Sequence, residues 1–270
     1  MIPLLATLLA IGISALWIFP VIKALKKRQI LKPRDYVFTA LVPGFVYTCL
    51  LIIVTEIIWD RIAALTPLSG LMYDITASFL RAALLEETFK LTGFLIAKKK
   101  LKPVRRIDMV LIAAVIGAMY GIVEKAVSGN IVSVIIGLVI PNHITWQMER
   151  GYRWYNYEKA KEQNDRKRMF LEWFLAVPMI YIHHGLWDTA LDVSGWLMER
   201  EEGFAGPLAA VLLILTIGWG IFYTIWILKK MIREAKNTRL PEGEKIQEAA
   251  ATGSVQDEAA QNEPVQEQQE

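Results

Sequence analysis

PLAAVLLILTIGWGIFYTIWIL, residues 207–228, runs from Pro207 to Leu228 without a charged side chain. A helix of that length covers the roughly 30 Å of a bilayer's hydrocarbon core. Working outward, apolar stretches of comparable length stand at about 2–22, 36–59, 74–97, 107–127, 131–148 and 169–192. Hydrophobic residues make up 54% of the chain and the mean hydropathy is +0.34, more apolar than a soluble domain that must clothe its surface in polar groups. The predicted fold class is therefore all-α: a polytopic membrane helical bundle of about seven transmembrane helices.

Basic residues set the predicted orientation, because Lys and Arg are retained on the cytoplasmic side during insertion. The first connection holds Lys23, Lys26, Lys27, Arg28, Lys32 and Arg34; the third holds Lys98, Lys99, Lys100, Lys102, Arg105 and Arg106; the fifth runs from Arg150 through Lys159 to Arg168, within a mixed-charge segment, 149–168, expected to be a helical extension rather than a domain. The even-numbered connections offer only Arg61, nothing between Ala126 and Asn130, and Arg200 beside Glu199, Glu201 and Glu202. Lys229, Lys230 and Arg233 follow the last span. This asymmetry predicts an N-terminus outside and a C-terminus in the cytoplasm of a multi-pass cell-membrane protein. Met1 enters the first apolar run with no basic n-region, so that run is expected to remain as a helix. Residues 1–236 are expected to form the membrane domain. Residues 237–270, rich in Glu, Gln and Ala, read as a disordered cytoplasmic tail.

Net charge is only +3, which gives no electrostatic footprint for nucleic acid. The single cysteine, Cys49, lies inside an apolar run and cannot form an intrachain bridge.

Charges inside the spans are the unusual feature, since each costs roughly 2.5–3.5 kcal/mol at mid-bilayer on insertion scales unless it finds a partner or water. The third span reads Leu84-Leu85-Glu86-Glu87-Thr88-Phe89-Lys90. Glu86 and Lys90 are one turn apart in the favourable order and can pair, with Glu86 roughly 18 Å below the outer end of the span by helical rise. Adjacent Glu87 points elsewhere and needs another cation, a metal or a shared proton. The fourth span presents Gly117, Tyr120, Gly121 and Glu124 at helical spacing, a small-residue face that brings a neighbour close and ends in a carboxylate. In the fifth, Pro141-Asn142-His143 interrupts the apolar run and kinks it. In the sixth, His183-His184-Gly185-Leu186-Trp187-Asp188 places Asp188 one turn from His184, able to orient the imidazole. All three histidines of the chain thus fall inside predicted spans.

The series EETFK at 86–90, YGIVE at 120–124, NHITW at 142–146 and HHGLWD at 183–188 resembles the PrsW intramembrane proteases, part of a wider superfamily with the CAAX prenyl endoproteases and the seven-helix scaffolding subunit of gamma-secretase. Order, spacing and topology agree from about 74 to 192. The Lys in EETFK favours PrsW over the prenyl proteases, whose first motif usually ends in Arg. The resemblance implies hydrolysis of peptide bonds within or beside the membrane. Its implied catalytic set is Glu86, Glu87, Lys90, Glu124, His143 and His184, with His183 and Asp188 supporting; Asp188 a turn away points to His184 as the ring that faces the site. Glu86 would be the general base, Glu87 or Glu124 would assist, and His143 or His184 would stabilise the oxyanion or protonate the leaving amine.

A metal version uses Glu124, His143 and His184 as zinc ligands with Glu86 as base. No HExxH-like spacing supports it and Lys90 would repel the cation, so metal-free glutamate chemistry is the preferred expectation. Partners implied are the lipid bilayer and a transmembrane protein substrate, a single-pass anti-sigma factor being one candidate. Two other classes fit the intramembrane charges: a transporter or proton channel, and a non-catalytic scaffold that uses the polar groups as packing glue. The expected architecture has the third to sixth helices around a polar pocket, flanked by the first, second and seventh.

Overall fold

In the computed structural model the described residues are 2–26, 33–65, 68, 70–103, 105–128, 136, 140–200 and 204–238. The chain divides into two units, Met1–Lys236 and Asn237–Glu270; the first carries the architecture below, and the expected tail lies almost wholly outside the described residues. Every regular element among these residues is helical: α1 (Ile2–Lys26), α2 (Pro33–Leu65), α3 (Leu71–Ala77), a π-helical segment (Ser78–Glu86), α4 (Glu87–Leu101), α5 (Arg106–Ser128), α6 (Asn142–Glu162), α7 (Arg166–Ala176), α8 (Pro178–Met198) and α9 (Ala205–Asn237).

Among the described residues three stretches are long and apolar enough to cross a membrane, Arg106–Lys125, Arg166–Met198 and Ala205–Asn237, with shorter apolar runs at Ile11–Lys23 and Thr39–Leu50. On α9, Leu208, Val211, Ile214, Leu215, Trp219 and Phe222 are all exposed. A soluble protein rarely leaves so large an apolar face uncovered, whereas lipid tails are its ordinary solvent.

Helix ends follow local chemistry. Lys102 takes the left-handed conformation at φ 48° and its N–H closes on the Lys98 carbonyl at 2.9 Å; Pro103, with no N–H to donate, follows the stop. Asp165 caps α7 by accepting from the Arg168 N–H at 3.1 Å. Between α7 and α8, Val177 leaves helical geometry at φ −119° and ψ −78°, and Pro178 starts the next helix, a position where its missing N–H is harmless. The sixth expected span is therefore two helices joined by a kink.

α5 is the centre of the bundle: Ile107, Val110, Leu111, Ile112, Ala113 and Ala114 are buried, and the helix packs against α1, α2, α4 and α6. Two glycines set its distance from α6. A Cβ on Gly117 would fall on the His143 carbonyl oxygen, and one on Gly151 would come within 2.5 Å of the Met109 carbonyl oxygen. These paired contacts make the helices antiparallel and unusually close. Gly117→Ala should force them apart and destabilise the protein by about 1–3 kcal/mol. Gly218→Ala, with nothing within 4 Å of its Cβ, should leave the thermal unfolding temperature unchanged in the same assay.

The fifth expected span is described only in part. Most of 129–139 lies outside the described residues, and α6 begins only at Asn142, after the Pro141 break. It then runs past residue 148 to Glu162, in keeping with the helical extension expected over 149–168, but Arg150, counted with the cytoplasmic connection, lies in the core. Its side chain is fully buried.

Candidate active site

Lys90 is the hub of the buried polar groups. An ammonium has three protons to donate, and Lys90 Nζ has three acceptors: Glu87 Oε1 at 2.7 Å, His143 Nδ1 at 2.9 Å and Glu86 Oε2 at 3.3 Å. The Tyr120 ring lies over the same ammonium, its centroid 3.9 Å away, a cation–π contact. The pairing of Glu86 with Lys90 is thus present, but Glu87, three residues before Lys90 and also within reach on a helix, takes the shorter bond.

Glu87 has no exposed surface and no spare acceptor capacity. Besides Lys90, it accepts from Gln147 Nε2 at 2.8 Å, Arg150 at 2.8 Å and His184 Nδ1 at 3.0 Å. The additional cation that a second carboxylate required is Arg150. This guanidinium is itself held by Gln147 Oε1 at 2.6 Å and, through Nε, by the Ala176 carbonyl at 3.2 Å. That carbonyl ends α7, where the break at Val177 and Pro178 leaves it free of a helical partner. The kink between α7 and α8 therefore anchors the arginine that anchors Glu87.

The other groups face a cavity of about 290 Å³ lined by Glu86, Glu124, His143, His184 and Asp188. Because Lys90 donates to His143 Nδ1, the proton of that ring sits on Nε2, which donates to Glu124 Oε2 at 2.7 Å; Glu124 also meets Lys125 at 3.2 Å. Both nitrogens of His184 face carboxylates, Nδ1 toward Glu87 and Nε2 toward Asp188 at 3.2 Å, with Glu86 Oε2 at 3.9 Å; the doubly protonated ring suits that environment. Glu86 keeps 18% of its side chain exposed. It closes the π-helical segment while Glu87 opens α4, so the two neighbours point different ways, one to the cavity and one to the core. Irregular helical turns of this kind recur at functional sites.

The chain belongs to the PrsW family. The family described as PrsW family intramembrane metalloprotease matches residues 32–219, a span that contains every charged group of the cavity. No curated protein and no solved structure matches the chain. PrsW proteins are intramembrane proteases, and this one is accordingly a membrane-embedded hydrolase.

The family's description implies a metal, and the residues present were arranged for a different cation. Among the described residues no group of three or more His, Cys, Asp or Glu side chains could hold a metal ion. The Lys90 ammonium lies between both carboxylates and His143, and His143 turns a proton, not a lone pair, toward Glu124. This arrangement does not fit a resident metal.

Of the predicted residues, Glu86, Glu87, Lys90, Glu124, His143, His184 and Asp188 come together in this PrsW protein, whereas His183 turns away. His183 Nε2 accepts from Trp219 Nε1 at 2.9 Å and its ring meets Tyr223 edge-on at 4.8 Å. Adjacent helical residues differ by about 100°, so only one of the two rings could face the cavity. Sequence reasoning missed Gln147 and Arg150, although their spacing from His143 places all three on one helical face. It also assigned α1 to the periphery, while Ile13 and Ser14 of α1 line the cavity.

Proposed function

We propose that this protein hydrolyses peptide bonds of a transmembrane protein substrate by a glutamate-activated water mechanism that uses no metal. Glu86 is the general base. The observation that carries this assignment is the contrast between the two adjacent carboxylates: Glu87 is saturated by four donors and sealed from the cavity, whereas Glu86 lines the cavity and is partly exposed.

Water in the cavity gives a proton to Glu86 as its oxygen bonds to the scissile carbonyl carbon, and the C=O electron pair moves onto the carbonyl oxygen. The tetrahedral intermediate then collapses, the C–N bond breaks, and the departing nitrogen takes a proton from His184, whose Nε2 lies 3.9 Å from Glu86. Glu86 returns its proton to His184 through this short gap, restoring both groups. Lys90 holds the net charge of the carboxylate pair in check, and Glu87 with Asp188 orients His184. Glu124 fixes His143 against the cavity wall.

The proposed setting is a seven-helix membrane domain over residues 1–236, N-terminus outside and C-terminus cytoplasmic, followed by the tail 237–270. The loop-by-loop distribution of Lys and Arg supports that orientation. The substrate class is a single-pass membrane protein, an anti-sigma factor being one candidate. The testing experiment incubates the purified, detergent-solubilised chain with a panel of single-pass substrates and reads product masses. Cleavage at a defined peptide bond is the expected result; intact substrates across a broad panel, with a protein shown to be folded, would overturn the proposal.

A further inference from the structure

The cavity wall changes character along its length. The rings of His143 and His184 lie 5.7 Å apart, centroid to centroid, and the segments leading away from them carry lining residues at helical spacing: Ile140 and Ile136 before His143, Trp187 and Leu191 after His184. The Ile140 N–H donates to the Ile136 carbonyl at 2.8 Å, which sets those two one turn apart. Ile140 and Trp187 meet at one point of α9, where a Cβ on Gly220 would come within 2.7 Å and 2.6 Å of them. The two segments thus leave the histidines together, and Leu191 lies two turns, about 10 Å of helical rise, beyond His184.

Beyond Asp188 on α8, and before Pro141, the described lining residues are all apolar. Ile13 of α1 joins them. It stands on the inward side of α1 beside Ser14, which with Ile18 and Val21 is buried at helical spacing, while Ile11, Leu16 and Phe19 are exposed. Helix α1 precedes residues 32–219, the span that matches the family, yet it helps to shape the cavity. Ile140 and Trp187 are buried, whereas Ile13, Ile136 and Leu191 are only half-buried and leave apolar surface for a ligand to cover. At about 290 Å³ the cavity far exceeds the roughly 30 Å³ share of the attacking water.

We propose that Ile13, Ile136 and Leu191, over a floor of Ile140 and Trp187, form a specificity subsite for one leucine-sized aliphatic side chain of the substrate, an assignment that rests on the proteolytic reading above. The distance from His184 fixes the register: about 10 Å is three residues of extended chain, so the recognised residue lies within three positions of the cleaved bond. An apolar wall rewards an aliphatic side chain and penalises a polar one, whose hydrogen bonds to water are lost there.

The test places Ala, Leu or Phe in turn at each of the three positions on either side of the bond cleaved in one single-pass substrate, and measures kcat/KM with wild type, Leu191→Ala, Leu191→Phe and Ile13→Ala, each checked by thermal unfolding in detergent. At one position wild type is expected to favour Leu over Ala by about tenfold or more, the discrimination an apolar pocket gives. At that position Leu191→Ala and Ile13→Ala should move the preference to Phe, and Leu191→Phe should move it to Ala. A residue that only packs the wall would slow all three substrates by the same factor. An unchanged ranking in every folded variant would overturn the subsite while leaving the proteolytic reading standing; Ile13→Ala, on a different helix, decides the matter alone if the Leu191 variants unfold. Absence of cleavage by the folded wild type would remove the proteolytic reading and this one together.

Discussion

Glu86→Gln is expected to lower the cleavage rate by about three to four orders of magnitude, the upper range of what a general base contributes. The substitution keeps the shape of the side chain and one oxygen for the Lys90 hydrogen bond, so the protein should unfold near the wild-type temperature. Glu87→Gln predicts a different phenotype. Glu87 accepts from Lys90, Gln147, Arg150 and His184 in a site with no exposure, and an amide cannot accept from all of them. Its variant should lose stability as well as activity. Equal stability losses in the two variants, or a Glu86→Gln protein that cleaves at the wild-type rate, would contradict the division of labour between base and anchor.

Arg150→Met carries the second large effect. Arg150 and Glu87 pair at 2.8 Å with neither side chain exposed, and removing one member of such a pair leaves the other charge buried. The expected loss is about 3–5 kcal/mol, read as a lower thermal or denaturant midpoint in detergent. Adding Glu87→Gln to Arg150→Met should recover part of that loss, because the stranded carboxylate disappears with it. The resulting non-additivity separates an electrostatic cause from a packing defect. An Arg150→Met protein as stable as wild type would mean that Lys90 alone compensates Glu87.

Much of this architecture was legible from the order of apolar runs. Residues 207–228 announce α9, and the polar groups at 86–90, 124, 143 and 184 converge as their helical spacing implied. The misreadings have physical causes. Counting Lys and Arg by connection assigns a basic residue near the end of an apolar run to the cytoplasmic side, and Arg150 satisfies that count while its side chain lies in the core. The trace it left was spacing: His143, Gln147 and Arg150 repeat at helical intervals, a pattern a loop would not need. His183 and His184 are indistinguishable by type, but Asp188 one turn beyond His184 pointed to it as the ring that faces the site, and it does line the cavity, while His183 meets Trp219. The π-helical turn before Glu87, SFLRAALLE over 78–86, has no composition that sets it apart from an ordinary helix.

The most direct test of the central claim is cleavage of a single-pass substrate in liposomes by protein stripped of metal with a chelator and verified metal-free, run beside Glu86→Gln. The account predicts that stripped wild type cleaves at its original rate and that Glu86→Gln does not cleave. Loss of activity on stripping, restored by added zinc, would contradict it and place the catalytic cation elsewhere than Lys90.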